Sequence, residues 1–318
     1  MNTQLLLENL TNPALLFFIL GIVAVALKSD LQIPEGSSRF IALYLLFAIG
    51  FKGGQELSHE AFTSEIGWSM LFGLLLSGLI PIYAFFLLRL KLNVSDAAAT
   101  AAAYGSVSAV TFVTAVTFLE FHKIKASGHM VAVMALMESP AIIVGLILLS
   151  IYHKSKQEKI NSREVIRHAL TNGSVVLILG SLVIGYLANA KQAEGIKPFT
   201  NELFKGFLAI FLLDMGISSG RKLKTFFAYG WFPIVFAIVF PLLNGILVAL
   251  LSGLVTSDPA NRFIFAVLAA SASYIAVPAA MKISAPEANS GLFLPMALAI
   301  TFPINITLGF PLYFSLIG

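Results

Sequence analysis

Two stretches of this 318-residue sequence gather hydroxyl groups among the smallest side chains. Residues 97–111 read Ala-Ala-Ala-Thr-Ala-Ala-Ala-Tyr-Gly-Ser-Val-Ser-Ala-Val-Thr, and residues 269–279 read Ala-Ala-Ser-Ala-Ser-Tyr-Ile-Ala-Val-Pro-Ala. Both lie in apolar runs, where a Gly or Pro frees backbone polar groups that persist only against protein or a wet cavity. Two such breaks meeting at mid-membrane would aim helix starts at a common point. The unpaired amides there, carrying about half a positive charge, suit a small anion. Carbonyls released at the same breaks suit a sodium ion. Tight helix packing through small residues and hydroxyls bonded to their own backbone are the competing explanations. A pattern that occurs twice favours a site.

Two acids also fall inside apolar runs: Glu138, just before Pro140, and Asp214, in Phe211-Leu212-Leu213-Asp214-Met215-Gly216. A charge at mid-bilayer costs about 2.5–3.5 kcal/mol on insertion scales and marks a functional candidate. For Asp214, closeness to the inner surface competes with a functional role. Lys52 is a poor partner for it, because the two sit late in helices that run in opposite directions. For Glu138 function is the preferred reading, since its run follows the first hydroxyl-rich stretch and is expected to pack on it. A desolvated carboxyl can also carry protons, so proton coupling competes with sodium.

The elements that must place these groups are membrane helices. The chain is 58% hydrophobic and 11% charged, with mean hydropathy +0.89, against about 45–50% and about 25% in soluble proteins. A span needs about 20 mainly apolar residues. Ten such runs are predicted, at 10–28, 38–54, 67–89, 95–119, 127–152, 171–190, 203–220, 227–254, 261–282 and 290–317. Long continuous runs disfavour a transmembrane barrel. The first run lacks a basic leader, so it reads as a retained helix rather than a signal peptide. The chain has no cysteine, which excludes disulfides and thiolate sites.

The runs form a duplication. Leu10-Thr11-Asn12 returns as Leu170-Thr171-Asn172, Gly50 and Gly54 as Gly216 and Gly220, and Gly67-Trp68 as Gly230-Trp231. Likewise Ala103–Thr111 returns as Ala270–Pro278, and Met134-Ala135-Leu136 as Met296-Ala297-Leu298. The expected architecture is an all-α integral membrane protein with ten transmembrane helices. Residues 1–151 form one five-helix repeat, 152–168 a cytoplasmic linker and 169–318 a second repeat, with helices four and nine broken. Five is odd, so the second repeat enters the membrane inverted, as in many secondary transporters.

Charge sets the orientation. The net charge is +4, with the basic residues dispersed over loops, which argues against a nucleic-acid partner. Thirteen of the 20 Lys and Arg fall on one side of the predicted topology. The positive-inside rule makes that side cytoplasmic and puts both termini outside. Trp68 and Trp231 begin equivalent runs and are expected to anchor at the interface.

Other classes fare less well. Gly216-Ile217-Ser218-Ser219-Gly220 matches G-x-S-x-G, but that motif needs a strand-to-helix elbow and a His partner. His59, His122, His129, His153 and His168 all fall in loops or at run ends, so an intramembrane hydrolase is disfavoured. A channel stays open as an alternative, to be separated from a carrier by saturation and ion coupling.

Gly105-Ser106-Val107-Ser108 with Thr111, Met137-Glu138-Ser139-Pro140-Ala141 and Phe51-Lys52-Gly53-Gly54 resemble the sodium-dependent bicarbonate permease family of bacteria. So do Ala269-Ala270-Ser271-Ala272-Ser273 with Pro278, and Pro286-Glu287-Ala288-Asn289. The likeness spans nearly the whole chain in matching order. It implies sodium-driven bicarbonate uptake across the bacterial plasma membrane, a homotrimer, elevator-type alternating access and control by a cytoplasmic PII-like protein. Carried over by position, Gly105, Ser106, Ser108, Thr111, Ser271 and Ser273 bind substrate, with sodium expected near Ser106, Ser108 and Ser273. Tyr274 stands where the family has an acid. The ion-coupling candidates are therefore Glu138, Asp214 and Tyr274, with another small carboxylate or oxyanion as the alternative cargo. Lys52 is a weaker candidate, expected to snorkel to the headgroups.

Overall fold

A computed structural model describes residues 13–152, 167, 171, 173–274, 277–278, 280–281, 285 and 287–317. The polar linker expected at 152–168 lies almost wholly outside them. Among the described residues the chain is helical, without strands. In order come α1 (Pro13–Ala26), α2 (Glu35–Ser58), α3 (Ser64–Leu88), α4 (Val94–Gly105), α5 (Ala109–Phe121) and α6 (His129–Tyr152). Then follow α7 (Gly173–Leu187), the short α8 (Ala190–Lys197), α9 (Phe204–Phe226), α10 (Trp231–Leu251) and α11 (Pro259–Ala270). The chain closes on α12 (Ser290–Ile317), which contains wide π-helical stretches at Met296–Thr301 and Asn305–Gly309.

Seven stretches are long and apolar enough to cross a membrane: α2, α3, Val94–Phe121, α6, Ala190–Leu223, Trp231–Leu254 and α12. Leu15–Ala26, Val175–Leu187 and Pro259–Ala270 are apolar but shorter. Of the ten runs expected from sequence, these three fall below spanning length over the described residues. The protein is thus a multi-pass membrane protein, and its lipid-facing surface carries exposed Leu, Ile, Val and Phe in quantity. Trp68 and Trp231, at the starts of α3 and α10, are among the most exposed large side chains.

The helices sort mainly into two packed groups. In one, α2 lies along α7 and α9 along α1. Glycines permit both approaches: a Cβ on Gly216 would run into the Phe18 carbonyl, and one on Gly50 would lie 2.7 Å from the Ile178 carbonyl oxygen. Gly54 meets the Leu182 carbonyl in the same fashion, and a Cβ on Gly220 would lie 3.0 Å from the Val25 side chain. Glycine pairs that match in sequence therefore make matching contacts, each with the first helix of the opposite half. Gln55 adds hydrogen bonds from α2 to the carbonyls of Gly185 and, at 2.8 Å, Ala188.

The second group contains α3–α6 and α10–α12. Here α3 packs on α4 and α6, and α10 on α11 and α12. The alanines at 97–99 and 101–103 are fully buried, and their small side chains let the neighbouring backbones approach. Between the groups, Lys52 of α2 pairs with Glu120 of α5. Glu60 accepts from the Gly128 amide at 2.6 Å and faces His129 Nδ1 at 3.0 Å. Lys52 is thus held by a protein carboxylate, in place of the headgroup contact expected for it.

Candidate functional site

Helices α4 and α11 are built alike. The Asn93 side chain caps α4 by accepting from the Asp96 amide at 2.8 Å, and Asp258 caps α11 through the Ala260 amide at 2.7 Å. Each runs for 12 residues, about 18 Å at 1.5 Å per residue, or little more than half of a hydrocarbon core of about 30 Å. Neither is long enough to cross it, α4 ending at Gly105 and α11 at Ala270.

The two ends are tied by one backbone and one backbone-to-side-chain hydrogen bond. The Ser273 amide donates to the Ala103 carbonyl at 2.8 Å, and the Ser108 amide donates to Ser271 Oγ at 3.1 Å. Ser271 Oγ in turn donates to the Leu268 carbonyl at 2.8 Å. Ser106 Oγ donates to the Glu138 carbonyl at 2.9 Å, fastening the break to α6. Past the break the chain resumes as α5, with Ser108 as its cap: the hydroxyl accepts from the Thr111 amide at 3.1 Å, and the Ser108 carbonyl accepts from Phe112. The remaining first-turn amides, those of Ala109 and Val110, have no acceptor among the described residues.

Those two residues line a cavity of about 430 Å³, counting its open mouth, between the two helix groups. Its other walls are Ser108, Ser273, Tyr274 and Glu138 on one side and Ala42, Leu45 and Leu46 of α2 on the other. Glu138 is 9% exposed, and neither an ion pair nor a hydrogen bond reaches its carboxylate among the described residues. The Tyr274 hydroxyl lies beside Ser108 but completes no hydrogen bond. One small space thus joins a helix start that attracts anions, two hydroxyls, a phenol in need of a partner and a bare carboxylate that attracts cations.

The sequence candidates divide accordingly. Ser108, Ser273, Glu138 and Tyr274 meet at this cavity, while Ser106, Ser271 and the Thr111 amide fix the backbone around it. Gly105 is not among the residues lining the cavity, and a Cβ there would lie 2.7 Å from Pro81 Cγ of α3, so the missing side chain permits close packing. Asp214 is elsewhere, bound by the Ser38 hydroxyl in the first turn of α2, with Arg221 nearby. The Gly216–Gly220 run lies within helix α9 rather than on a strand-to-helix elbow. Among the described residues no group of His, Asp and Glu has the make-up of a multi-ligand metal centre.

Four buried polar residues went unread in the sequence: Tyr104, Thr301, Asn305 and Tyr313. They form hydrogen-bonded links from α12 to the ends of both broken helices. A lone Asn inside Pro303-Ile304-Asn305-Ile306 was the available signal, since an amide in an apolar span needs an internal partner.

No match is found among curated proteins. Comparison with protein-family models matches residues 13–318 to one family. By that match, which covers every helix described above, the chain belongs to the Na+-dependent bicarbonate transporter superfamily.

Proposed function

We propose that the chain is a secondary carrier that takes up bicarbonate together with sodium across the bacterial plasma membrane. The observation that carries this reading is the shared cavity: Ala109 and Val110, whose amides have no acceptor among the described residues, and Glu138, whose carboxylate has no partner among them, line the same small volume. Bicarbonate would sit at the start of α5, its oxygens accepting from the amides and from the hydroxyls of Ser108 and Ser273. Alone, it meets a like charge. Two unit charges roughly 6 Å apart at an effective dielectric near 20 repel by about 3 kcal/mol, or about 100-fold in affinity. A sodium ion beside Glu138, completed by the Ser and Tyr274 oxygens, would remove that penalty. Each cargo then binds well only in the presence of the other.

Movement follows from where the cavity lies. It is walled by α2 from one helix group and by α5, α6 and the α11 end from the other. Elevator-type sliding of the second group against the first would carry the site across the membrane. The matching contacts of Gly50 with Ile178 and Gly216 with Phe18 support two inverted repeats that exchange their first two helices. Ten spans with both termini outside, a homotrimer and docking of a PII-like cytoplasmic protein complete the proposal.

Tyr274, in the place of the acid seen in related permeases, favours protons as the alternative coupling ion. Uptake of labelled bicarbonate into liposomes under an imposed sodium gradient, a proton gradient or neither decides among these. Uptake driven by sodium supports the proposal, and uptake driven only by protons moves the coupling to Glu138 protonation. Transport of another small oxyanion in place of bicarbonate overturns the substrate assignment.

A further inference from the structure

The C-terminal carbonyls of a helix lack intrahelical partners, and at mid-membrane no bulk water is at hand to replace them. At the end of α4 the Ala103 carbonyl is taken by the Ser273 amide. At the end of α11 the Ala270 carbonyl accepts from Asn305 Nδ2 of α12 at 2.6 Å. Asn305 is 0% exposed, and its amide has one orientation available. The Tyr313 hydroxyl donates to Oδ1 at 3.1 Å, which leaves Nδ2 for Ala270. Tyr313 is placed in turn by two glycines: a Cβ on Gly309 would lie 3.0 Å from its ring, and one on Gly245 of α10 would overlap it.

A parallel link starts four residues earlier on the same helix. Thr301 Oγ1 donates to the Ala237 carbonyl of α10 at 2.7 Å, so the Tyr104 hydroxyl, also 2.7 Å away, is the donor to Thr301. Tyr104 is the penultimate residue of α4. Thr301 ends one π-helical stretch and Asn305 begins the next. Such stretches interrupt the regular ladder and occur often at functional sites. Repeat-equivalent helix α6 has no amide that could do the same: the residues around Pro140 are Ser139, Ala141, Ile142 and Ile143. Among the described residues the side-chain links to the ends of α4 and α11 at Tyr104 and Ala270 come from α12, while α6 holds the first break only through its Glu138 carbonyl.

We infer that Asn305, oriented by Tyr313, is a positioning residue of the carrier site that holds the broken end of α11, and with it Ser271, Ser273 and Tyr274, in register with the start of α5. Nδ2 fills the lone pair left open where α11 stops, and the Ser271–Ser273 backbone that follows is thereby fixed against Ala103 and Ser108. Asn305 touches neither cargo. It acts through the position of the α11 end, and Thr301 does the same for α4 through Tyr104. The inference deepens the carrier reading and rests on it for its consequence in transport.

The test uses the full chain in lipid nanodiscs and in proteoliposomes, with Asn305→Ala and Asn305→Asp. Asn305→Asp keeps the shape but lacks a donor when ionised, and regains one when protonated. Expected for Asn305→Asp is sodium and bicarbonate KM raised about tenfold, the worth of one buried hydrogen bond, and restored as the medium is acidified. Asn305→Ala should show the defect at every pH, with kcat changed less than KM. Hydrogen exchange gives a readout free of transport: amides 271–274 should exchange faster in both variants at neutral pH, with those of α3 unchanged. If wild type takes up no bicarbonate under any gradient, the carrier reading fails, and exchange alone decides whether Asn305 holds the break. Unchanged exchange at 271–274 in both variants overturns the inference, as does, where the wild type transports, an unchanged KM in both variants.

Discussion

Gly105 is the site candidate packed most closely against a neighbouring helix, and Gly105→Ala tests that packing. Glycine is often needed for left-handed backbone, but among the described glycines only Gly230 has a positive φ. Alanine at 105 therefore meets a steric problem and no backbone one. Its Cβ would stand 2.7 Å from Pro81 Cγ and 2.9 Å from Pro81 Cβ, well inside ordinary carbon contact. The proline ring cannot rotate away, and Pro81 is itself buried in α3. Overpacking of this kind costs about 1–3 kcal/mol, offset by up to about 1 kcal/mol of helix propensity gained on leaving Gly. The net loss is about 1–2 kcal/mol, a fall in thermal midpoint of roughly 2–5 °C. Because Gly105 adjoins Ser106, the displacement passes to the break, and KM for the anion should rise as well. The assay is thermal unfolding in nanodiscs with uptake in liposomes, repeated in a Pro81→Ala background, where the cost of Gly105→Ala should fall close to zero. Gly180→Ala on α7, where a Cβ meets nothing within 4 Å, is the control and should be neutral or slightly stabilising. An equal cost of Gly105→Ala in both backgrounds, or no cost at all, refutes the packing argument.

Three further outcomes are expected. Glu138→Gln removes the charge that opposes the anion, so bicarbonate KM should become insensitive to sodium; retention of the wild-type sodium dependence in uptake assays would exclude Glu138 from coupling. Ser108→Ala removes the cap of α5, at a cost of about 1 kcal/mol in unfolding experiments, and should weaken anion binding while leaving the Ser108 amide on Ser271. Lys52 and Glu120 are 34% and 28% exposed, between the surface and buried regimes. A double-mutant cycle with Gln at each position should give a coupling near 1 kcal/mol, and a coupling of zero would show that the pair does not clamp α2 to α5.

Much of the frame was legible one residue at a time. Apolar runs near 20 residues report membrane helices, because lipid leaves the backbone no partner but itself. The recurrence of Gly50 and Gly54 as Gly216 and Gly220 marked positions where helices touch, since only a missing side chain allows backbones so close. The Gly-Ser and Ser-Ala-Ser stretches pointed to the two interrupted helices for the same local reason: small hydroxyl residues tolerate freed backbone groups. Glu138 stood out by its cost in lipid.

Which of these residues share a cavity was not legible, because it depends on directions that sequence spacing does not encode. Gly105 and Ser108 are three residues apart, yet the turn between them sends one against Pro81 and the other into the cavity. Asp214 and Glu138 look alike as isolated acids in apolar runs, but Ser38 claims the first and no described residue claims the second. Lys52 reads as a snorkelling lysine until Glu120, 68 residues away, is brought beside it. Asn305 had no partner in any local pattern, because the carbonyl it serves belongs to Ala270, at the end of another helix. Sequence alone determined that this is a helical membrane protein with recurring glycines and small hydroxyl-bearing stretches, since hydrophobic length and residue recurrence are local properties. Tertiary structure alone decided that Ser108, Ser273, Tyr274 and Glu138 face one another while Gly105 and Asp214 do not, since orientation about a helix axis is settled only by what packs against it.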